Sequence, residues 1–203
     1  MEAGRTIEAV VFDLDDTLYP EREYVRSGYA AVARHVRDRL GRDDRFAEWL
    51  WARFEAGQAA GALDALDGAF ALGLGPAGVA ELVRCYREHL PSIRPFPDVA
   101  ATVEALRGRV RLGLLSDGYL PAQRQKLAAL GLGEAFDAVV FTEELGRSAW
   151  KPSPAGFEAV AGRLGVAHAA CAYVADNPAK DFVAPNRLGW TTVQLVRDGQ
   201  VHA

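Results

Sequence analysis

Three carboxylates stand close together in AVVFDLDDTLYPE, residues 9–21: Asp13, Asp15 and Asp16, directly behind a run of strand-forming residues. Like charges packed this closely repel, so a buried strand that ends on them implies a proton or a cation nearby. A second apolar run, ACAYVAD, ends on Asp176; a third, in LLSDG, ends on Ser116 and Asp117; Lys151 follows a fourth, in AWKPSP. Taken singly, each has an ordinary explanation. Asp13 or Asp15 caps a turn or a helix, Ser116-Asp117-Gly118 forms a turn, and Lys151 is a solvated surface lysine. Taken together, carboxylates converging on one crevice suit a hard divalent ion with oxygen ligands, Mg²⁺ above all. Mg²⁺ held by a couple of carboxylates usually completes its shell with water and phosphate oxygens, which favours phosphoryl chemistry over a structural metal. Two carboxyls near one reacting centre can divide the labour. One attacks as a nucleophile; the other exchanges a proton with the leaving oxygen and then with the attacking water. A lysine ammonium on the same crevice would offset the carboxylate repulsion and suit phosphate, and the Ser116 hydroxyl could bind a phosphoryl oxygen.

Such convergence needs a scaffold that gathers strand ends. Five short apolar runs are strand-like: 9–15, 110–118, 136–142, 170–176 and 190–196. All are nearly continuously apolar, as in strands buried on both faces of a parallel sheet. Helical patterns lie between the last four: PAQRQKLAALGL, SPAGFEAVAGRLGV and PAKDFVAPNRLG. Pro121, Pro154 and Pro178 stand near their starts, and Gly131, Gly165 and Gly189 near their ends, the positions these residues favour. Strand and helix in alternation predict an α/β fold with a doubly wound parallel sheet. From about Pro20 to Pro95 the rhythm changes to helices alone, punctuated by Gly41, Gly57, Gly61, Gly73, Gly75 and Pro76. The expected organisation is an α/β core of residues 1–19 and 96–203 with a helical module, 20–95, inserted after the first strand. In open parallel sheets the ligand crevice lies outside the carboxyl ends of the strands. Asp13, Asp15, Asp117 beside Ser116, Asp176, and Glu143 with Glu144 all stand at such ends.

The bulk properties narrow the class. The chain has 203 residues, a formal net charge of −4, half its residues hydrophobic and a quarter charged, ordinary for a globular protein. No Lys/Arg block stands out, so no nucleic-acid partner is expected. An anionic substrate must then be held by a few placed cations or a metal. Cys85 and Cys171 are the only cysteines, and are expected to be free thiols in a reducing compartment. The N-terminal MEAGRTIEAVVFDLDD has no signal-peptide pattern, and no run is long enough to span a bilayer, so no membrane partner and a cytoplasmic location are expected.

In this order, the motif residues resemble the haloacid dehalogenase superfamily, whose members are mostly phosphatases. Asp13, Asp15 and Thr17 match its D-x-D-x-T; Ser116 matches the Ser or Thr after an apolar strand; Lys151 and Pro152 match the third motif; Asp176 and Asp181 match D-x-x-x-x-D. The resemblance covers almost the whole chain, and the helical insert is similar to a cap domain. It implies a two-step reaction on a small-molecule phosphate ester, such as a sugar phosphate or nucleoside monophosphate. Asp13 would attack phosphorus, and Asp15 would protonate the leaving alcohol and then activate water. Mg²⁺ would be bound by the Asp13 side chain, the Asp15 backbone carbonyl and Asp176. Asp181 would orient Lys151 or a metal-bound water, with Thr17 in support. Ser116, Lys151 and backbone N–H groups would hold the phosphoryl oxygens, and Asp117 is counted with this group by position. Three features depart from the common pattern. Asp117 stands where Asn is frequent and is expected to point away or bind a cap or helix-terminal donor. Ala175 replaces the usual Gly, and GRSAWKP is longer before its lysine than G-x-x-K-P.

Rival readings remain open. The dehalogenase branch does not need the second Asp, so Asp15 favours a phosphatase. A phosphomutase would use the same Asp pair, and a non-catalytic binding protein could retain the fold. Trp49, Trp51, Phe54, Phe70 and Tyr86 are expected to be core of the helical module. Tyr19, Tyr24 and Tyr119 either contact a sugar or base or pack at a rim. His35 and His89 have no ligand-like spacing.

Overall fold

The computed structural model describes residues 6–201. Residues 1–5, part of the N-terminal stretch without a signal-peptide pattern, therefore lie outside the described residues. The chain divides into two compact units, one formed by Met1–Arg22 with Ile93–Ala203, the other by Glu23–Ser92.

The first unit is built on β1 (Ala9–Phe12), β2 (Arg111–Ser116), β3 (Ala138–Phe141), β4 (Cys171–Ala175) and β5 (Thr191–Gln194). They form one sheet in the order β3-β2-β1-β4-β5, with every pairing parallel. The expected α/β, doubly wound parallel sheet is what the chain forms. Each strand is shorter than the apolar run that announced it. In particular, β1 stops at Phe12, so Asp15 comes from the turn beyond the strand.

On one face, Ala9 and Val11 of β1, Leu115, Val140, and Cys171 and Tyr173 of β4 pack with Phe157, Val160 and Ala161 of α7 (Ala155–Leu164). A Cβ on Gly156 would lie 2.8 Å from Leu115 and 3.0 Å from Thr142, so glycine is what lets the first turn of α7 sit against β2.

Three expectations need correction. β5 is not buried on both faces: Thr191 and Thr192 are half-buried and Val193 and Gln194 exposed, as befits an edge strand carrying polar residues. The run from Pro178 is not one helix. Turns occupy 178–182 and only Val183–Arg187 is helical. Asn177 Oδ1 accepts from Ala179 N at 3.0 Å and Asp181 Oδ2 from Asn177 N at 3.1 Å, so side chains take backbone groups that a helix would have used. Finally, Val99–Leu106 (α5) forms a helix where none was expected.

The second unit comprises most of Glu21–Leu40 (α1), with Phe46–Glu55 (α2), Ala62–Phe70 (α3) and Gly75–Glu88 (α4). Its buried cluster is Val25, Tyr29, Val32 and Val36 from α1 with Phe46, Leu50, Leu63, Leu66, Val79 and Leu82. Phe70 packs edge-on against Phe46 at 4.9 Å and Trp49 at 5.5 Å. The aromatic residues named from sequence sit around this core, partly buried. His89 is an ordinary buried histidine, its ring nitrogens 2.7 Å from Tyr86 O and 3.0 Å from Ser27 Oγ. No helix of the described residues is long and apolar enough to cross a membrane, and Cys85 and Cys171 are free thiols.

Candidate active site

In a parallel sheet all strands finish at one edge. The chain leaves β1 for β2 and β3, then crosses to β4 and β5 on the other side of β1. The crevice belongs where the direction reverses, at β1. Asp13 directly follows β1, Ser116 closes β2, and Asp176 directly follows β4. The Asp13 N–H donates to Val174 O at 2.9 Å, carrying the β1–β4 ladder one residue further and pinning the Asp13 backbone.

Lys151 arrives from the loop after β3. The extra length of GRSAWKP is taken up in a short 3₁₀ turn, Arg147–Ala149. The Lys151 side chain is only 1% exposed and its Nζ lies 2.5 Å from Asp13 Oδ1, 2.8 Å from Asp181 Oδ1 and 3.0 Å from the Tyr173 hydroxyl. Burial by itself would lower this ammonium, but Asp13, Tyr173, Asp181 and Asp117 outweigh it and hold its pKa well above the ordinary value. Burial pushes Asp13 up to about 6, against the pull of Lys151 and with Asp181 adding to the rise. Burial also pushes Asp176 up to about 7, helped by the neighbouring carboxylates of Asp13, Asp181 and Asp16.

Asp13, Asp176 and Asp181 each offer a carboxylate oxygen within 4.8 Å of the others. Asp176 Oδ2 is buried and has no hydrogen-bond partner among the described residues. A buried oxygen without a donor, beside two more carboxylates, fits a hard divalent cation. Asp181 thus stands in the cluster as well as beside Lys151, a double position that its sequence motif did not resolve.

The Asp15 side chain turns elsewhere. Its Oδ1 accepts from Lys126 Nζ at 2.7 Å and from the Tyr19 hydroxyl. Burial works against its charge, but Lys126 and Tyr19 outweigh burial and lower its pKa. Asp16, the third carboxylate of the opening cluster, is a structural residue. With φ of +51° it directs Oδ1 to Glu21 N at 2.8 Å, at the start of α1, and Oδ2 to Val201 N at 2.6 Å. Glu21 itself, in the first turn of α1, is pushed up to about 8 by burial and by Asp15.

The Ser116 hydroxyl is fully buried and donates to Gln123 Oε1 at 3.2 Å. Asp117 is engaged within the protein. Its carboxylate takes Thr142 Oγ1 at 2.8 Å and the Lys151 N–H at 3.2 Å, which ties the β2 loop to the β3 loop. Thr17 is fully buried, its hydroxyl without a partner among the described residues. Glu143 and Glu144 are engaged elsewhere: Glu143 Oε2 accepts Leu120 N at 2.5 Å, at the start of helix Leu120–Ala129 (α6), where a negative charge is favoured. Glu144 pairs with Arg124 at 2.8 Å.

Sequence reasoning missed Tyr173, Lys126, Gln123 and Lys180, whose charge acts on Asp13, Asp15 and Glu21. Tyr19, read either as a contact to a sugar or base or as rim packing, is fully buried. The buried face of α6 carried a usable hint. Gln123 and Lys126 lie among Ala122 and Leu127 on it, and a helix face buries such groups only where partners await them.

The family described as haloacid dehalogenase-like hydrolase matches residues 7–189. A glyceraldehyde 3-phosphate phosphatase of Methanopyrus kandleri is 33% identical over 199 residues, covering 94% of this chain and 84% of that protein. A phosphoserine phosphatase of Thermus thermophilus is 28% identical, covering 94% of this chain and 89% of that protein. Among solved structures, L-2-haloacid dehalogenase from Xanthobacter autotrophicus superposes with a TM-score of 0.60 at 26% identity, covering 96% of this chain and 80% of that one.

Proposed function

The chain belongs to the haloacid dehalogenase-like hydrolases, and we propose that it is a Mg²⁺-dependent phosphatase that passes the phosphoryl group of a small organic monoester through Asp13. It is an enzyme, a phosphoric monoester hydrolase, in keeping with its phosphatase relatives. The observation that carries the mechanism is the separate bracing of the two motif carboxylates. Asp13 lies in the buried cluster with Lys151, Asp176 and Asp181, while Asp15 is held apart by Lys126 and Tyr19.

Asp13 attacks phosphorus, forming the bond from its carboxylate oxygen as the bond to the leaving oxygen breaks. Asp15 gives that oxygen a proton. Water then attacks the aspartyl phosphate, Asp15 takes back a proton, and Asp13 is released. The arriving phosphate, a like charge, opposes Lys126 and favours the protonated form of Asp15. Lys151 neutralises Asp13 in the resting site and holds a phosphoryl oxygen during transfer, joined by Ser116. Asp117 acts as a positioning residue through the Lys151 backbone. Asp13, Asp176 and the Asp15 backbone carbonyl, with Asp181 beside them, would hold Mg²⁺, which when bound supplies charge neutralisation for the phosphoryl oxygens. In the same proposal the helical unit is the cap that selects the substrate.

Phosphate release across a panel of sugar phosphates, nucleoside monophosphates, glyceraldehyde 3-phosphate and phosphoserine tests the reading. Turnover that requires Mg²⁺ and stops with EDTA is expected. Silence across the panel, or EDTA-insensitive hydrolysis, would reject it. The likeness to a solved dehalogenase makes halide release from 2-chloropropionate the necessary counter-assay, expected to be absent. Product analysis with a sugar monophosphate separates hydrolysis from phosphate transfer within the sugar.

A further inference from the structure

We propose that Lys126 is a positioning residue for proton transfer: it grips Asp15 by Oδ1 and so reserves Oδ2 as the oxygen that exchanges the proton. The inference rests on Asp15 being the acid of the proposed mechanism and adds to it a residue outside the four motifs.

The geometry is specific. Lys126 lies on α6 and is only 4% exposed. Its ammonium reaches Asp15 Oδ1 at 2.7 Å, the oxygen on which the Tyr19 hydroxyl also converges, and lies 6.0 Å from the Tyr19 ring centroid. Burying an ammonium is costly unless a partner and good geometry compensate. Here the partner is a carboxylate assigned to chemistry rather than a surface acid. Two donors on one oxygen of a planar group also restrict its rotation, and that fixes where the second oxygen lies.

The rest of α6 supports the same reading. Gln123 stands three residues before Lys126 on the same face and accepts the Ser116 hydroxyl at 3.2 Å. One helix therefore braces the turn after β1 and the end of β2 at once. That helix is itself anchored to the loop after β3, through Glu143 on Leu120 N and through the Arg124–Glu144 pair. The two motif carboxylates thus have different buried lysines, Lys151 for Asp13 and Lys126 for Asp15. This division keeps like charges two residues apart from competing for one cation, and it lets the nucleophile and the acid be oriented independently.

The test uses the full-length enzyme with Mg²⁺ and two probes, p-nitrophenyl phosphate and phenyl phosphate. The first expels a good leaving group with little need of a proton; the second needs one. The readout is kcat/KM, which covers the step that expels the leaving group. A misplaced acid penalises the poor leaving group selectively. We expect Lys126→Met to lower phenyl phosphate hydrolysis about 10-fold or more beyond its effect on p-nitrophenyl phosphate, a part of the ~10²–10⁴-fold that general acid–base help supplies. Lys126→Arg should recover part of the loss, and Tyr19→Phe should show a weaker form of it. Should Lys126→Met fail to fold, as judged by circular dichroism, the Arg and Phe variants carry the test. Equal losses on the two probes in folded variants would mark Lys126 as merely structural and overturn the proposal, as would no loss on either. Asp15→Asn separates the proposal from its premise. If Asp15→Asn penalises phenyl phosphate selectively and Lys126→Met does not, the proposal alone fails. If Asp15→Asn shows no selectivity, the acid assignment fails and takes the proposal with it.

Discussion

The two units handle buried polarity in opposite ways. In the α/β unit, Asp13, Asp16, Thr17, Ser116, Gln123, Lys126, Thr142, Lys151, Asp176 and Asp181 are all buried; in the helical unit, tyrosines apart, the only buried polar side chain among the described residues is His89. The helical unit is an apolar cluster with its charges outside, as in the Arg39–Glu81 pair, whose side chains are 48% and 32% exposed. The contrast shows where stability and function conflict. A buried charge is tolerated only where partners compensate it, and the α/β unit concentrates such groups at one sheet edge because that is where its strands end.

The comparison can be broken most sharply at Asp13. Asp13→Asn should reduce phosphate release by about 10⁴-fold or more, since the attacking group itself is gone. The protein should remain folded, because Lys151 keeps Asp181 and Tyr173. Wild-type-like rates in a phosphate-release assay would defeat the covalent route.

Removing the other side of the pair tests stability. Lys151→Met leaves Asp13 and Asp181 buried without their ammonium and should cost about 3–5 kcal/mol in urea unfolding. In the helical unit the comparable loss should come from an apolar residue. Leu50→Ala should cost about 2–5 kcal/mol through the cavity it leaves. If Lys151→Met proved neutral while Leu50→Ala was costly, the buried charges of the α/β site would not depend on one another as described above.

A smaller effect links pH and metal. Asp13 and Asp176 are held at about 6 and about 7, above the ordinary 3.8. Without metal, the folded protein binds these protons more tightly than the unfolded chain does. Their stabilising contribution is therefore full below pH 3.8 and is lost progressively as pH rises from there through 6 and 7. A divalent cation replaces the protons, so Mg²⁺ should raise Tm more at pH 8 than at pH 5, as thermal melts with Mg²⁺ and with EDTA would show. Equal shifts at both pH values would contradict the assignment of these carboxylates to the cation. Smallest of all, Arg39→Ala on the helical unit should change stability by no more than about 1 kcal/mol, since exposed pairs are screened. A larger loss in urea unfolding would show that the surface charges of this unit are not incidental.

Much of the α/β scaffold could be read directly. Apolar runs alternating with helical patterns imply parallel strands, and parallel strands share one carboxyl edge. That argument alone put Asp13, Ser116 and Asp176 near one another. It failed at β5, where Thr191, Thr192 and Gln194 already signalled an edge, and at Pro178, where Asn177 and Asp181 captured backbone groups locally. Tyr173 was invisible because an aromatic inside a strand looks the same whether its hydroxyl meets a lysine or nothing at all.

What the sequence determined alone was the set of residues at the strand ends, because side-chain period and strand polarity are local properties. Only the tertiary structure decided what each one does there. Asp15 and Asp16 are adjacent and chemically identical, yet one is gripped by Lys126 and the other closes a turn onto Glu21 and Val201. Lys126 and Asp15 lie 111 positions apart in the chain, and no local rule couples residues at that separation. Their pairing exists only because the fold brings α6 beside the turn that follows β1.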